Sequence, residues 1–126
     1  MKLPDKQATL RVIAMPSDTN SAGDVFGGWI MSQVDLAGSI LAHQVADGRV
    51  ATVAVESFIF LEPIFVGDVV SCFAKLHKTG TTSLTINIDV FAERDHSRFA
   101  CVKVTEAKLT YVAIDKNRKP RKVPPT

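Results

Sequence analysis

The sequence predicts an α+β domain in which one long helix packs against an antiparallel sheet. Three observations carry that prediction. Apolar residues recur at helical spacing from Gly28 to about Asp47. The apolar runs on either side of that stretch are β-branched, and several alternate with polar residues as strands do. Turn formers separate the later runs, at Gly67-Asp68, Thr79-Gly80-Thr81 and Asp95-His96-Ser97. A lone amphipathic helix among such strands must bury its apolar face on one side of the sheet.

Taken in order, Ala8 to Met15 (ATLRVIAM) reads as a first strand. Pro16-Ser17-Asp18-Thr19-Asn20 ends it, and Ser21 to Asp24 continues the loop. In the helix, Ile30, Val34, Ala37, Leu41 and Val45 form the predicted buried stripe. Gly38 in its interior costs about 1 kcal/mol against Ala, which marks a close approach of another backbone. Met31, Leu36 and Ile40 fall off the stripe. Together with Gly38 they predict a second contact, with another subunit. Asp47-Gly48 stops the helix. Four strands follow, at Arg49–Phe60, Val69–Lys78, Thr82–Glu93 and Phe99–Ile114. In Thr82–Glu93, Leu84, Ile86, Ile88 and Val90 are expected inward and Thr85, Asn87 and Asp89 outward. Consecutive hairpins joining these strands make the sheet antiparallel.

Length bounds the rest. A chain of 126 residues is expected to form a single domain, with a core over about 8–115 and a basic tail over 116–126. Its composition, 46% apolar and 22% charged, is that of a soluble globular protein. Met1 to Lys6 lacks the apolar stretch of a secretory signal, and no apolar run is long enough to cross a bilayer. Cys72 and Cys101 show no CxxC spacing and read as reduced, buried thiols. A cytoplasmic protein is therefore expected, with neither membrane nor nucleic acid as a partner. From Asp115 onward, five basic residues stand against one acidic residue. Such a tail either meets phosphates or is a solvated terminus.

Several catalytic engines are absent. There is no G-x-S-x-G elbow, P-loop, G-x-G-x-x-G or H-E-x-x-H. His43, His77 and His96 fall in three separate elements without metal-ligand spacing, so no metal is expected. What remains is Asn20, the Gly27-Gly28 entry to the helix, and Asp35. Asp35 is the only formal charge between Gly28 and Ala42. A carboxylate in such a setting is costly to bury unless it is paired or used, and a desolvated one suits a general base or a nucleophile. A helix start exposes unpaired N–H groups and a positive dipole end, which can hold a developing oxyanion. Glycines there let a substrate approach the backbone. Asn20 offers a donor and an acceptor to orient a carbonyl or a water. These parts fit acyl transfer to water. The residues alone leave open an Asp35 paired with Arg49 or His43 in a subunit interface, and a Gly27-Gly28 that is a plain helix entrance.

The stretch Asn20-Ser-Ala-Gly-Asp-Val-Phe-Gly-Gly-Trp-Ile-Met-Ser-Gln-Val-Asp35 resembles the signature of the hotdog-fold acyl-CoA thioesterases, in particular the single-domain bacterial YciA-like branch. Val53–Ser57, Glu62–Asp68, Lys78–Ser83 and Tyr111–Asp115 resemble later segments of the same family, in order, so the likeness covers roughly Ala8 to Pro124. Val34 stands where a Met is common, a conservative apolar change. The resemblance implies a hotdog fold, a long central helix wrapped by an antiparallel sheet of five to six strands. It implies hydrolysis of acyl-CoA to free CoA and a carboxylic acid. No cofactor is implied, CoA being part of the substrate and product. It places Asn20 and Asp35 on the two active-site positions. It also directs CoA contacts to the Lys78-Thr79-Gly80-Thr81-Thr82-Ser83 turn, which carries a cation, hydroxyls and backbone N–H groups; Arg118, Lys119 and Arg121 are further candidates for the nucleotide phosphates.

Two other functions fit the fold. A hotdog dehydratase pairs His with Asp or Glu, and no histidine lies in the loop-to-helix segment. An acyl-CoA-binding module without turnover would not need the Asn20/Asp35 pair.

Spacing adds one more expectation. Gly28 and Asp35 are two helical turns apart, about 10 Å along the axis, too far for one chain to serve one carbonyl easily. A two-fold axis beside the helix brings Asp35 of one subunit near the Asn20–Gly28 end of its partner. A homodimer with shared sites is therefore expected, and the resemblance implies further assembly as a trimer of dimers.

Overall fold

A computed structural model describes residues Met1–Pro125; Thr126, the last residue of the predicted tail, lies outside the described residues. Strand β1 is Leu10–Ile13, a 3₁₀ turn spans Pro16–Asp18, and helix α1 is Gly27–Ala46. Strands β2 (Val50–Phe60), β3 (Val69–Thr79), β4 (Ser83–Glu93) and β5 (Cys101–Ala113) follow. The strands form one antiparallel sheet in the order β1-β3-β4-β5-β2, and α1 packs across it. This is the predicted helix-on-sheet architecture, with five strands.

The connections depart from the sequence reading at one place. β2 and β3 form no hairpin; β2 pairs with β5, so residues 61–68 cross the sheet. The crossover is pinned at its end. Buried Asp68 accepts from the amide of Phe65 at 2.9 Å and from Arg94 Nε at 3.3 Å. Arg94 also donates to the carbonyl of Pro63 and stacks over the ring of Phe65. Gly67, at φ +88°, supplies the left-handed turn that returns the chain to β3.

Helix α1 stops where Asp47 takes a left-handed conformation, and its amide and that of Gly48 close back on the last-turn carbonyls. The buried stripe is Ile30, Val34, Ala37, Gly38, Ala42 and Ala46. Beyond Ala37 it therefore follows the small residues, and the predicted Leu41 and Val45 are only partly buried. Small side chains let the helix sit close on the sheet; longer ones on the seam would hold it off. Met31, Leu36 and Ile40 are exposed, as are Val53, Val55, Ile59 and Phe60 of the edge strand β2. In β4 the expected inward residues Leu84, Ile86, Ile88 and Val90 are fully buried, but Thr85 is buried as well. That strand is covered on both faces at this point.

The basic tail is ordered rather than a loose terminus. Ile114 bridges Pro120, the Arg121 amide donates to Ala113, and the Val123 amide donates to Thr81. Arg121 caps the carbonyls of Ile114 and Arg49 with its guanidinium. Residues 114–123 thus turn back onto the end of the sheet that carries the β3–β4 turn.

Candidate active site

Asp35 sits mid-helix on the flank of α1 that meets β2 and β5. Its carboxylate is half-buried and hydrogen-bonded, not isolated among apolar groups as the helix sequence suggested. Oδ1 accepts from Thr52 Oγ1 at 2.8 Å and from the Tyr111 hydroxyl at 3.0 Å. The sheet explains the convergence: Thr52 on β2 and Tyr111 on β5 are cross-strand partners, and such partners point to the same face. Within the chain, neither Arg49 nor His43 pairs with Asp35. His43 Nδ1 lies 2.7 Å from the Ser39 carbonyl, a bond within its own helix.

Thr52 and Tyr111 were not among the residues singled out from sequence. Register is what joins them to Asp35, and register is not written locally. One signal was available: Tyr111 is the only tyrosine of the chain, and Gly38 follows Asp35 by three residues, on the same helix face. Gly38 marks the close approach of that tyrosine, within the same chain, rather than a backbone of another subunit. A Cβ at Gly38 would fall 2.9 Å from Tyr111 Cζ and closer still to the hydroxyl oxygen. Burial, then the charge of Asp35 and the hydrogen bond to it, push the Tyr111 phenol well above its usual value.

The predicted residues fall into two clefts. Asn20 and Gly27 line one of about 460 Å³, walled by Phe60 and the Glu62–Ile64 crossover. Gly28 and Asp35 line another of about 250 Å³, with Met31, Thr52, Val55 and Phe58. Gly27 lets the Phe60 ring close to within 3.3 Å of where its Cβ would stand, while Gly28 faces open space. No side chain caps the helix start, so its first N–H groups keep their usual lack of intrahelical partners.

Asn20 is less free than the sequence suggested. Its Oδ1 accepts from the amides of Ala22 at 2.9 Å and Asp24 at 3.2 Å. Two N–H partners fix which end of the amide is oxygen. The acceptor is thus committed to holding the loop, and the Nδ2 donor is what remains for a ligand.

The Lys78–Ser83 segment is a tight turn closed by Gly80 N–H to Ser83 carbonyl at 2.8 Å. Lys78, Thr79, Gly80 and Thr81 are exposed, and Thr82 and Ser83 partly so. Ser83 pairs with Val112, one step along β5 from Tyr111, so the turn and the Asp35 row share one end of the sheet. Arg118 is exposed in a left-handed turn of the returning tail. Among the described residues, no three His, Cys, Asp or Glu side chains gather as metal ligands.

Residues 22–98 match the family model of the thioesterase superfamily. The chain belongs to that superfamily. It is 51% identical over 123 residues to the acyl-CoA thioester hydrolase YciA of Salmonella typhimurium, covering 96% of this chain and 92% of that one. The same enzyme of Escherichia coli is 50% identical over 124 residues, covering 97% and 94%. Among solved structures, the hexameric thioesterase of Yersinia pestis superposes with a TM-score of 0.92 at 49% identity, covering 98% of this chain and all of that one. The fold is thus the hotdog fold read from the sequence.

Proposed function

We propose that this protein is an acyl-CoA thioester hydrolase whose carboxylate chemistry is carried by Asp35. The observation that carries the reading is the setting of Asp35. It is the one charge of the central helix, aimed by two hydroxyls, in an open cleft that it shares with the helix-start residue Gly28. Its relatives' names supply the thioester and the CoA. As general base, Asp35 takes a proton from the water that attacks the thioester carbonyl. The carbonyl oxygen becomes an oxyanion, for which the N–H groups of the Gly27-Gly28 helix start are the proposed donors. Collapse breaks the C–S bond, and the proton returns to the departing CoA sulfur. As nucleophile, the same carboxylate attacks the carbonyl and breaks the C–S bond, leaving a mixed anhydride; water then hydrolyses the anhydride to the free acid and the regenerated carboxylate, and its proton goes to the CoA thiolate. No cofactor enters either course, and CoA is part of the substrate.

We place the nucleotide end of CoA on the Lys78–Ser83 turn, with Arg118 and the basic tail beside it. The tail's return supports this, because the Val123 amide bonded to Thr81 sets the neighbouring Lys122 beside the turn in the chain. We further infer a homodimer with shared sites, assembled as a trimer of dimers. Asn20 and Asp35 of one chain line different clefts. The Asp35 cleft opens between Met31 and Val55, on the exposed apolar flank of α1 and β2. An 11-residue apolar edge strand needs covering, and the Yersinia pestis relative is hexameric by name. The chain acts in this reading as one domain. Its two free cysteines suit the reducing cytoplasm, and among the described residues no helix is long and apolar enough to cross a membrane.

The test is thiol release from acetyl-, butyryl- and palmitoyl-CoA by wild type and by Asp35→Asn. The amide oxygen of Asn still accepts from Thr52 and Tyr111, so the fold survives while the basic oxygen is lost. Turnover is expected to fall about 10²–10⁴-fold. Hydrolysis by the variant at near the wild-type rate refutes the role of Asp35; binding of acyl-CoA without turnover by wild type assigns a binding module instead.

A further inference from the structure

We propose that Tyr111 is a positioning residue for Asp35, and that Gly38 is the notch that admits its hydroxyl. The inference rests on the thioesterase reading above and deepens it. Tyr111 is fully buried beneath α1. Its hydroxyl oxygen stands 3.0 Å from the carbonyl oxygen of Asp35 and 3.0 Å from Oδ1 of the same residue. One hydroxyl proton is shared between two acceptors on a single residue, a three-centre arrangement. Main chain and side chain of Asp35 are therefore gripped together, which fixes the χ angles of the carboxylate. Thr52 alone could not do this. It reaches only Oδ1, and it sits on the exposed edge strand beside a register shift between Thr52 and Ala54. Tyr111 comes from the buried strand β5, bonded on both sides, so its hydroxyl is a fixed reference.

The helix has given up propensity for this contact. Alanine at position 38 would favour an isolated helix, yet its Cβ would overlap the hydroxyl. The clash partner is the tip of a ring packed within the core, which cannot swing aside as a surface side chain can. Gly38 is thus set aside for one oxygen atom, and that oxygen serves Asp35. The hydroxyl itself has no path to a reacting carbonyl, being enclosed behind the carboxylate it holds; its contribution passes through Asp35.

The decisive variant is Tyr111→Phe, which removes one oxygen and keeps the ring. In thiol-release kinetics on butyryl-CoA, kcat is expected to fall roughly 10-fold, the scale of one hydrogen bond to a charged group, with KM within about twofold of wild type. A loss confined to KM, or an unchanged kcat, overturns the proposal. Gly38→Ala is expected to lower kcat similarly by displacing the hydroxyl. In a Tyr111→Phe background the same substitution should cost less, because the atom it overlaps most is gone; additive losses would count against a shared mechanism.

A second readout needs no turnover. The chain has one tyrosine, so phenolate absorbance near 295 nm reports Tyr111 alone. Burial raises that phenol first and the charge of Asp35 raises it further, so Asp35→Asn is expected to lower the pH at which it ionises in the folded protein. An identical titration in two proteins that both stay folded through it, as followed by circular dichroism at each pH, overturns the proposal. The two readouts also separate the claims: a wild type without thiol release refutes the thioesterase reading, whereas an active wild type matched by an equally active Tyr111→Phe refutes only the positioning role.

Discussion

Mixing two inactive variants tests the shared site directly. Asp35→Ala removes the carboxylate. For the other site residue the structure favours Asn20→Asp over alanine. A carboxylate at position 20 can still accept from the amides of Ala22 and Asp24, so the loop keeps its two bonds, while the Nδ2 donor disappears. Each variant alone has every site broken once. In a mixed dimer, Asp35 of the Asn20→Asp chain meets Asn20 of the Asp35→Ala chain and forms one intact site; the other site is broken twice. Random exchange makes about half of the dimers mixed, and each carries one working site of two, so activity recovers to about a quarter of wild type. Assembly of dimers into a hexamer leaves that fraction unchanged. The assay is thiol release from butyryl-CoA after subunit exchange, with exchange followed by native mass spectrometry. Full exchange without recovery would show that each chain carries its own complete site, and the separation of Asn20 and Asp35 into two clefts would then need a conformational change to close it.

Two further outcomes follow from particular groups. Lys78→Glu is expected to raise KM for acyl-CoA several-fold and to raise it less for a short pantetheine thioester, since only the former carries the nucleotide phosphates; equal losses on both would remove Lys78 from the phosphate site. Among the groups whose folded values are raised, two are moved furthest: burial pushes the Cys72 thiol up to about 12, and burial with Asp35 raises the Tyr111 phenol. Above the ordinary values of 9.0 and 10.0 the unfolded chain loses these protons first. Their contribution is complete below those values and is lost as pH rises toward the folded ones. Melting temperature should therefore fall from about pH 9 toward 12, less steeply in Tyr111→Phe; a flat profile would contradict the burial of both groups.

Local patterns were legible in the sequence, and long-range pairings were not. Apolar period and the Asp47-Gly48 stop place α1 within a residue of its observed ends. Turn chemistry at Gly80 and at Asp95-His96 marks real reversals, with Asp95 and His96 both at positive φ. Gly67-Asp68 is a turn as well, but the hairpin inferred from it joins β2 to the wrong neighbour. Nothing local to β2 tells it to pair with β5, because both edges of an alternating strand offer the same groups. The site shows the same divide. Asp35 stands out as a lone charge, whereas Thr52 and Tyr111 become its partners only through the register of β2 on β5. The second role of Asn20, holding its own loop, follows from Asx-turn chemistry that its sequence neighbours would have permitted reading. The order of the tail was not legible, because its anchors are main-chain amides of Arg121 and Val123, which leave no trace in side-chain pattern.

The position of β2 in the sheet bears on how the chain is born. β2 is synthesised before β3 and β4, yet among the described residues it pairs with β5, the last to be made. The forty residues 61–100 must leave the ribosome between them, which takes roughly 2–8 s at 5–20 residues per second. Throughout that interval Val53, Val55, Ile59 and Phe60 belong to a nascent strand with both edges bare. Polysomes place several such chains side by side, each offering the same unpaired ribbon. Translation is therefore a hazard for this protein, and synonymous changes that slow the ribosome between codons 61 and 100 are expected to lower soluble yield without altering a single residue.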